Sequence, residues 1–211
     1  IAYRKRNESP VLNSDMTVHE GKNLESTYHI RSFDDLDEAL SQQPDVVFIT
    51  NPNVFHVPIA IKAAKAGCHL YIEKELSHSW DGIDELSMIV KSKKLITYVA
   101  YQRRFHPAYK KIKEIISLKS MGSVLKIDVE IGDTFGWPTK SGFYFDKNKS
   151  AGGILIDLGS HFLDLILWFL EDYPQKINYV DDNFGGVEAD VELEMYFPKN
   201  IHVSVKLSRL R

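Results

Sequence analysis

The 211-residue chain has a single cysteine, Cys68, so no internal disulfide can form. A reducing compartment, the cytoplasm, is therefore expected. The simplest role for Cys68 is that of a small buried hydrophobe. No stretch reads as the ~18 consecutive apolar residues of a membrane span, and no signal peptide is visible. Strong charge of one sign is also missing: 26 Lys and Arg stand against 29 Asp and Glu, a formal net charge of −3, spread along the chain. Neither nucleic acid nor an anionic membrane is an expected partner. There is no Gly-x-Ser-x-Gly elbow, no Walker loop and no Cys-x-x-Cys pair, which removes the common signatures of serine hydrolases, P-loop enzymes and dithiol redox proteins. Internal repeats and low-complexity tracts are absent too.

What is present is an ordinary globular balance, 44% hydrophobic and 26% charged residues, enough for a real core. Residues 45–50 (Asp-Val-Val-Phe-Ile-Thr) form a β-branched run that suits a strand buried on both faces. A helix over about 55–66 follows and stops at Gly67; then come a strand at 69–72, a helix over 79–93 and a strand at 95–100. Such alternation predicts βαβ units and a parallel sheet. Ile1–Arg6 would add an earlier strand, and Asp34–Gln42 a short helix entered from Ser32 as N-cap with Asp35 behind it. From Asn7 to His29 no period is visible, and the segment reads mostly as loop.

Beyond residue 106 the pattern changes. Pro107–Leu118 is a basic amphipathic helix, and 123–131, 188–196 and 201–207 alternate apolar and polar residues. Alternation of that kind marks strands with one wet face, so this half is expected to be an α+β domain with an open, mainly antiparallel sheet. The expected division is 1–101 and 102–211. The start on Ile1 without methionine and the apolar run just before Arg211 suggest that both ends cut through secondary structure.

Chemistry should collect where ligands bind open parallel sheets, beyond the carboxyl ends of the strands. Those ends carry Thr50-Asn51-Pro52-Asn53 with His56, then Glu73-Lys74-Glu75, then Tyr101-Gln102-Arg103-Arg104. Lys74 at such a strand end, beside a cationic ligand and out of water, would have its ammonium form disfavoured and could exchange a proton with a substrate hydroxyl. The plainer alternative is a surface lysine paired with Glu73 or Glu75. A second constellation runs from Gly152-Gly153 to Trp168. As a helix it is apolar nearly all round except for Asp157, His161 and Asp164, which fall in one stripe. Buried, these groups must pair or face a cavity. In one reading Asp157 caps the helix and His161 bonds Asp164; in the other His161, whose charge adjusts near neutral pH, faces substrate with Asp157 behind it. A metal site lacks a second histidine at ligand spacing.

These segments together are recognisable. Thr50-Asn51-Pro52-Asn53-Val-Phe-His56, Ala64-Lys-Ala-Gly67-Cys-His-Leu-Tyr-Ile-Glu73-Lys74, Tyr101-Gln102-Arg103-Arg104-Phe105-His-Pro107 and Gly152-Gly153 through Asp157, Gly159, His161, Asp164 and Trp168 resemble, in family order, the Gfo/Idh/MocA oxidoreductases. The resemblance implies a Rossmann domain, here without its first βα unit, joined to an open-sheet domain through which family members pair as homodimers or homotetramers. It implies NAD or NADP and a sugar, nucleotide-sugar or cyclitol substrate. It makes Lys74 and His161 the acid/base candidates with Asp157 in support. Thr50, Asn51, Pro52, His56, Glu73, Lys74 and Gln102 would line the cofactor, and Arg104, Trp137, Asp157 and His161 the substrate. Three departures stand out: Glu75 where the family has proline, Gln102 where asparagine is usual, and no Gly-x-Gly-x-x-Gly loop ahead of Ile1. Arg4 in the basic run after the first strand suits a ribose 2′-phosphate and tips the cofactor expectation toward NADP. A non-catalytic relative that binds nucleotide or sugar as a sensor or assembly subunit is the alternative.

Overall fold

The computed structural model describes residues 2–3, 10–13, 15, 17–132, 134, 142–183 and 186–210. In chain order these form β1 (Ala2–Tyr3), β2 (Pro10–Leu12), β3 (Val18–Asn23), α1 (Leu24–Tyr28), β4 (Ser32–Phe33), α2 (Leu36–Ser41), β5 (Val46–Ile49), α3 (His56–Lys65), β6 (His69–Ile72), α4 (Ile83–Lys93) and β7 (Thr97–Val99). After a 3-10 turn at Gln102–Phe105 come α5 (Pro107–Ser117), β8 (Lys126–Gly132), α6 (Lys147–Ser150), α7 (Ser160–Leu170), β9 (Lys176–Asp181), β10 (Asp190–Phe197) and β11 (Ile201–Ser208). A Rossmann-like unit is thus followed by an α/β unit with a mixed sheet.

The first unit is built around the parallel strands β5, β6 and β7. Helix α3 lies on one face with Ala60, Ala63 and Ala64, all fully buried, against Ile49, Leu70 and Ile72. Alanines without side-chain bulk let helix and sheet approach closely, and Cys68 fills the same core as the small hydrophobe expected of it. Gly67 takes φ +93 just past α3, a conformation that ends helices at little cost to glycine.

Three expectations need correction here. The 7–29 segment is not mostly loop among its described residues: β2 and β3 pair antiparallel, and Asn23 caps α1 by accepting from Ser26 N–H at 2.8 Å. Five of the six β3 residues are exposed, so no apolar alternation marked the strand. Helix α2 is capped by Asp35, which accepts from Glu38 N–H at 2.8 Å; Ser32 lies in β4, in parallel register with Ala2. And β5 is covered on one face only: Phe48 and Val46 stay exposed, with Phe48, Tyr71, Tyr98 and Phe105 forming a ladder of ring contacts at 5.0, 5.3 and 6.1 Å.

In the second unit the strand order is β8-β11-β10-β9, with β8 and β11 parallel and the other pairs antiparallel. Every second residue of β10 (Val191, Leu193, Met195, Phe197) points to a core shared with Val203, Val205 and Leu207. Ile154 and Ile166 from the helical layer close it. The stretch Lys147–Leu170, mean hydropathy 1.6 in its most apolar window, is long and apolar enough by length and composition to cross a membrane. The sequence reading missed it because Asp157, His161 and Asp164 interrupt the run.

One glycine lets this helical stretch start where it does. A Cβ on Gly153 would lie 1.9 Å from the Glu188 carbonyl oxygen, which accepts from Ile154 N–H at 3.0 Å. The Glu188 carboxylate is buried and accepts from Leu155 N–H at 3.0 Å, placing negative charge at the positive end of the helix. Because the obstruction at residue 153 is backbone, Gly153→Ala is expected to cost about 3 kcal/mol of unfolding free energy, measured as a lowered urea midpoint. An unchanged midpoint would show that the 186–190 segment gives way.

Candidate active site

The turn after β5 and the turn after β6 are fastened together by one buried ring. His56, 1% exposed, has Nε2 at 2.7 Å from the Asn51 carbonyl oxygen and Nδ1 at 2.6 Å from that of Glu75. The sequence placed His56 on the cofactor-lining surface; the structure places it beneath, supporting the two turns. Thr50 and Gln102 are exposed at the ends of β5 and β7, while Asn51 and Pro52 are half-buried. The Glu73 carboxylate accepts from Lys74 N–H at 3.0 Å.

Lys74 reaches across to the second unit. Its Nζ donates to the Asp157 carbonyl oxygen at 2.6 Å and to Oδ1 at 2.8 Å, and lies 3.4 Å from Glu75 Oε1. Asp157 sits in a π-helical turn, Leu155–Gly159, that leads into α7. Its other carboxylate oxygen accepts from Arg209 Nη2 at 2.5 Å. Burial works against the Lys74 ammonium, but the charges of Asp157 and Glu75 outweigh it and hold the pKa above the ordinary lysine value. Without a cofactor beside it, Lys74 is thus held as an ammonium by the described groups. The sequence reading foresaw burial but not the Asp157 carboxylate.

His161 lies one turn along, 8% exposed, with Nδ1 buried and lacking a hydrogen-bond partner among the described residues. The Tyr101 ring meets it edge-on at 6.4 Å. Burial, then the positive charges of Lys74 and Arg103, push its pKa down to about 4 against the pull of Asp157. The imidazole is therefore neutral at neutral pH rather than adjustable there. It does not bond Asp164, which is held by Arg104 through Nε at 2.7 Å and Nη2 at 2.5 Å. Arg104, expected at the substrate, is thus committed to a bidentate ion pair between the junction and α7. Arg4 and Trp137 lie outside the described residues.

Five further residues belong to this neighbourhood. Asn53, 6% exposed, donates through Nδ2 to Glu75 Oε2 at 3.0 Å and to the Ser150 carbonyl oxygen at 2.9 Å. Ser160 Oγ lies 3.4 Å from Glu75 Oε1. Burial and the nearby Glu75 charge push the Tyr101 phenol up to about 12, and burial raises that of Tyr144. Arg209, at the end of β11, is the fifth. A cavity of about 330 Å³ opens beside Asp157, walled by Tyr144, Phe145, Gly153, Val187 and Leu210. Among the described residues no cluster of His, Cys, Asp and Glu is arranged to hold a metal ion. The buried Asn51 Oδ1, beyond the β5 carboxyl end, also lacks a partner among them. An orphaned acceptor at that end of a parallel sheet fits a hydroxyl- or amide-bearing dinucleotide.

Comparison with known proteins gives two family matches. Residues 3–101 match the "Oxidoreductase family, NAD-binding Rossmann fold" and residues 109–211 the "GFO/IDH/MocA C-terminal domain". The chain is 28% identical over 200 residues to an uncharacterized oxidoreductase of Schizosaccharomyces pombe, covering 92% of this chain and 52% of that one. It is 29% identical over 139 residues to levoglucosan dehydrogenase of Pseudarthrobacter phenanthrenivorans, 64% of this chain and 36% of that one. It spans about half the length, or less, of the curated relatives it matches. Among solved structures, GenD2 from gentamicin A biosynthesis, in complex with NAD, has the same fold: TM-score 0.79, 23% identity, 88% of this chain and 54% of that one.

The depressed His161 pKa has a consequence for stability. Between its ordinary value of 6.5 and about 4, the unfolded chain binds one proton more at this residue than the folded chain does. Stability from this source is present above that window and is lost as pH falls through it, by up to ~3 kcal/mol. Urea midpoints at neutral and acidic pH should therefore differ less in His161→Asn than in the unmutated protein. Equal differences would exclude a buried neutral imidazole.

Proposed function

The chain belongs to the Gfo/Idh/MocA family of oxidoreductases, and from that premise we propose that it forms the catalytic part of an NAD(P)-dependent dehydrogenase acting on a hydroxyl-bearing carbon of a sugar, nucleotide sugar or cyclitol. One observation carries the reading: the ammonium of Lys74, from one unit, and the imidazole of His161, from the other, flank the same Asp157 turn. They are charged and neutral respectively, so they form an acid and a base at neutral pH.

Oxidation of a secondary alcohol removes the hydroxyl proton as hydride leaves the same carbon. His161, the neutral imidazole one turn beyond Asp157, is the group assigned to accept that proton. Lys74, kept protonated by Asp157 and Glu75, stabilises the developing negative charge on oxygen in both directions, and in reduction His161 gives back the proton it took. Asp157 fixes Lys74 with both its carbonyl and its carboxylate. The nicotinamide supplies the hydride acceptor or donor when it is bound. Thr50, Asn51, Pro52, Glu73 and Gln102 are the residues that would hold it, with His56 keeping their turns in place. The basic run at Arg4 supports NADP over NAD. A cytoplasmic location, supported by the lone cysteine, and self-association through the second sheet complete the reading.

A second reading, a non-catalytic nucleotide or sugar binder, is favoured by the double carboxylate engagement of Lys74. The dehydrogenase and a nucleotide binder predict enhancement of NADPH or NADH fluorescence on binding, and a sugar binder does not. The dehydrogenase alone predicts turnover on myo-inositol or glucosides that falls about 10²–10⁴-fold in Lys74→Ala with cofactor affinity kept. Full turnover by Lys74→Ala would remove the assigned role of Lys74.

A further inference from the structure

Glu75 occupies the position where the resembled family has proline, and it is drawn into the site rather than turned to solvent, its side chain 14% exposed. Four elements converge on it. Its Oε2 accepts from Asn53 in the turn after β5, and its Oε1 lies 3.4 Å from both Lys74 Nζ and Ser160 Oγ at the start of α7. Its backbone carbonyl oxygen faces His56 Nδ1. Through Asn53 it is also linked to Ser150 at the end of α6. The carboxylate is therefore fixed from both units, and the ammonium it faces is the one that bonds Asp157.

We infer that Glu75 is a positioning residue: its carboxylate, pinned by Asn53 and Ser160, holds the Lys74 ammonium against Asp157. The inference concerns a residue outside the proposed acid/base set, and its bearing on turnover rests on the role proposed for Lys74. The groups that face Lys74 decide the sign. Asp157 from the π-helical turn, Glu75 from its own segment and Tyr144 from the turn before α6 favour its charge, Glu73 accepts from its backbone N–H, His161 of α7 is neutral, and Arg209, just past β11, is paired with the far oxygen of Asp157. Replacing Glu75 by a neutral side chain leaves burial unopposed by one of the two carboxylates that touch Nζ, so the ammonium is weakened. A conformational role alone would not move this titration in step with charge.

The test reads the Lys74 side chain directly. Protein labelled with lysine ¹³Cε is titrated by NMR, and the Lys74 resonance is identified by its loss in Lys74→Arg. The midpoint is expected to shift downward in Glu75→Gln, which keeps the size and one acceptor oxygen for Asn53, and further down in Asp157→Asn. In Ser160→Ala, which keeps both carboxylates, it should move less than in Glu75→Gln. If Glu75→Gln does not fold, Glu75→Asp, which keeps the charge but shortens its reach, is expected to give a smaller downward shift. A Glu75 variant with the unmutated midpoint overturns the inference even where Lys74→Ala abolishes turnover. A lowered midpoint together with full turnover in Lys74→Ala upholds the positioning while removing the proposed function.

Discussion

The contact on which the site depends is the ion pair between Lys74 and Asp157. It joins the end of a parallel strand in one unit to a π-helical turn in the other, over 83 positions of sequence. Neither partner is fully buried, with side chains 15% and 23% exposed. Each has further ties, Lys74 to Glu75 and Asp157 to Arg209. A half-desolvated charge without a partner is costly, so each of the four constrains where the next can lie. The alternation of sign, from Glu75 to Lys74 to Asp157 to Arg209, keeps two cations and two anions within one small volume.

That arrangement explains why the two nitrogen groups of the site differ in charge. Lys74 is surrounded by carboxylates and remains an ammonium; His161, a turn away, meets mostly burial and positive charge and remains an imidazole. One element serves both outcomes, because Asp157 touches Lys74 directly and acts on His161 only at a distance. Small differences in distance thus set opposite protonation states on either side of one turn.

How much of this was legible depended on whether the signal was local. Strands β5 and β6 and helix α3 could be read because β-branched runs and Gly67 mark them without reference to anything distant. The polar stripe at Asp157, His161 and Asp164 was readable as a stripe, but not its partners. Asp164 pairs with Arg104 sixty residues earlier, and Asp157 with Arg209 fifty-two later. No spacing rule encodes either. The β2–β3 hairpin escaped notice because exposed strands need no apolar alternation, and the α2 cap was misplaced because Ser32 and Asp35 are both good N-caps, so only the pairing of Ser32 with Ala2 decides between them. His56 was identified as part of the cofactor turn, yet its burial follows from two carbonyl oxygens that only the folded turns bring together.

The Arg104–Asp164 pair gains meaning beside the other crossings between the units. With Lys74–Asp157 and Asn53–Ser150 it makes three polar struts, one at each of the successive strand ends. The polar crossings are thus spread along the whole carboxyl edge of the parallel sheet rather than gathered at one end, and a guest bound beside them would spend less of its binding energy on immobilising the groups they already hold.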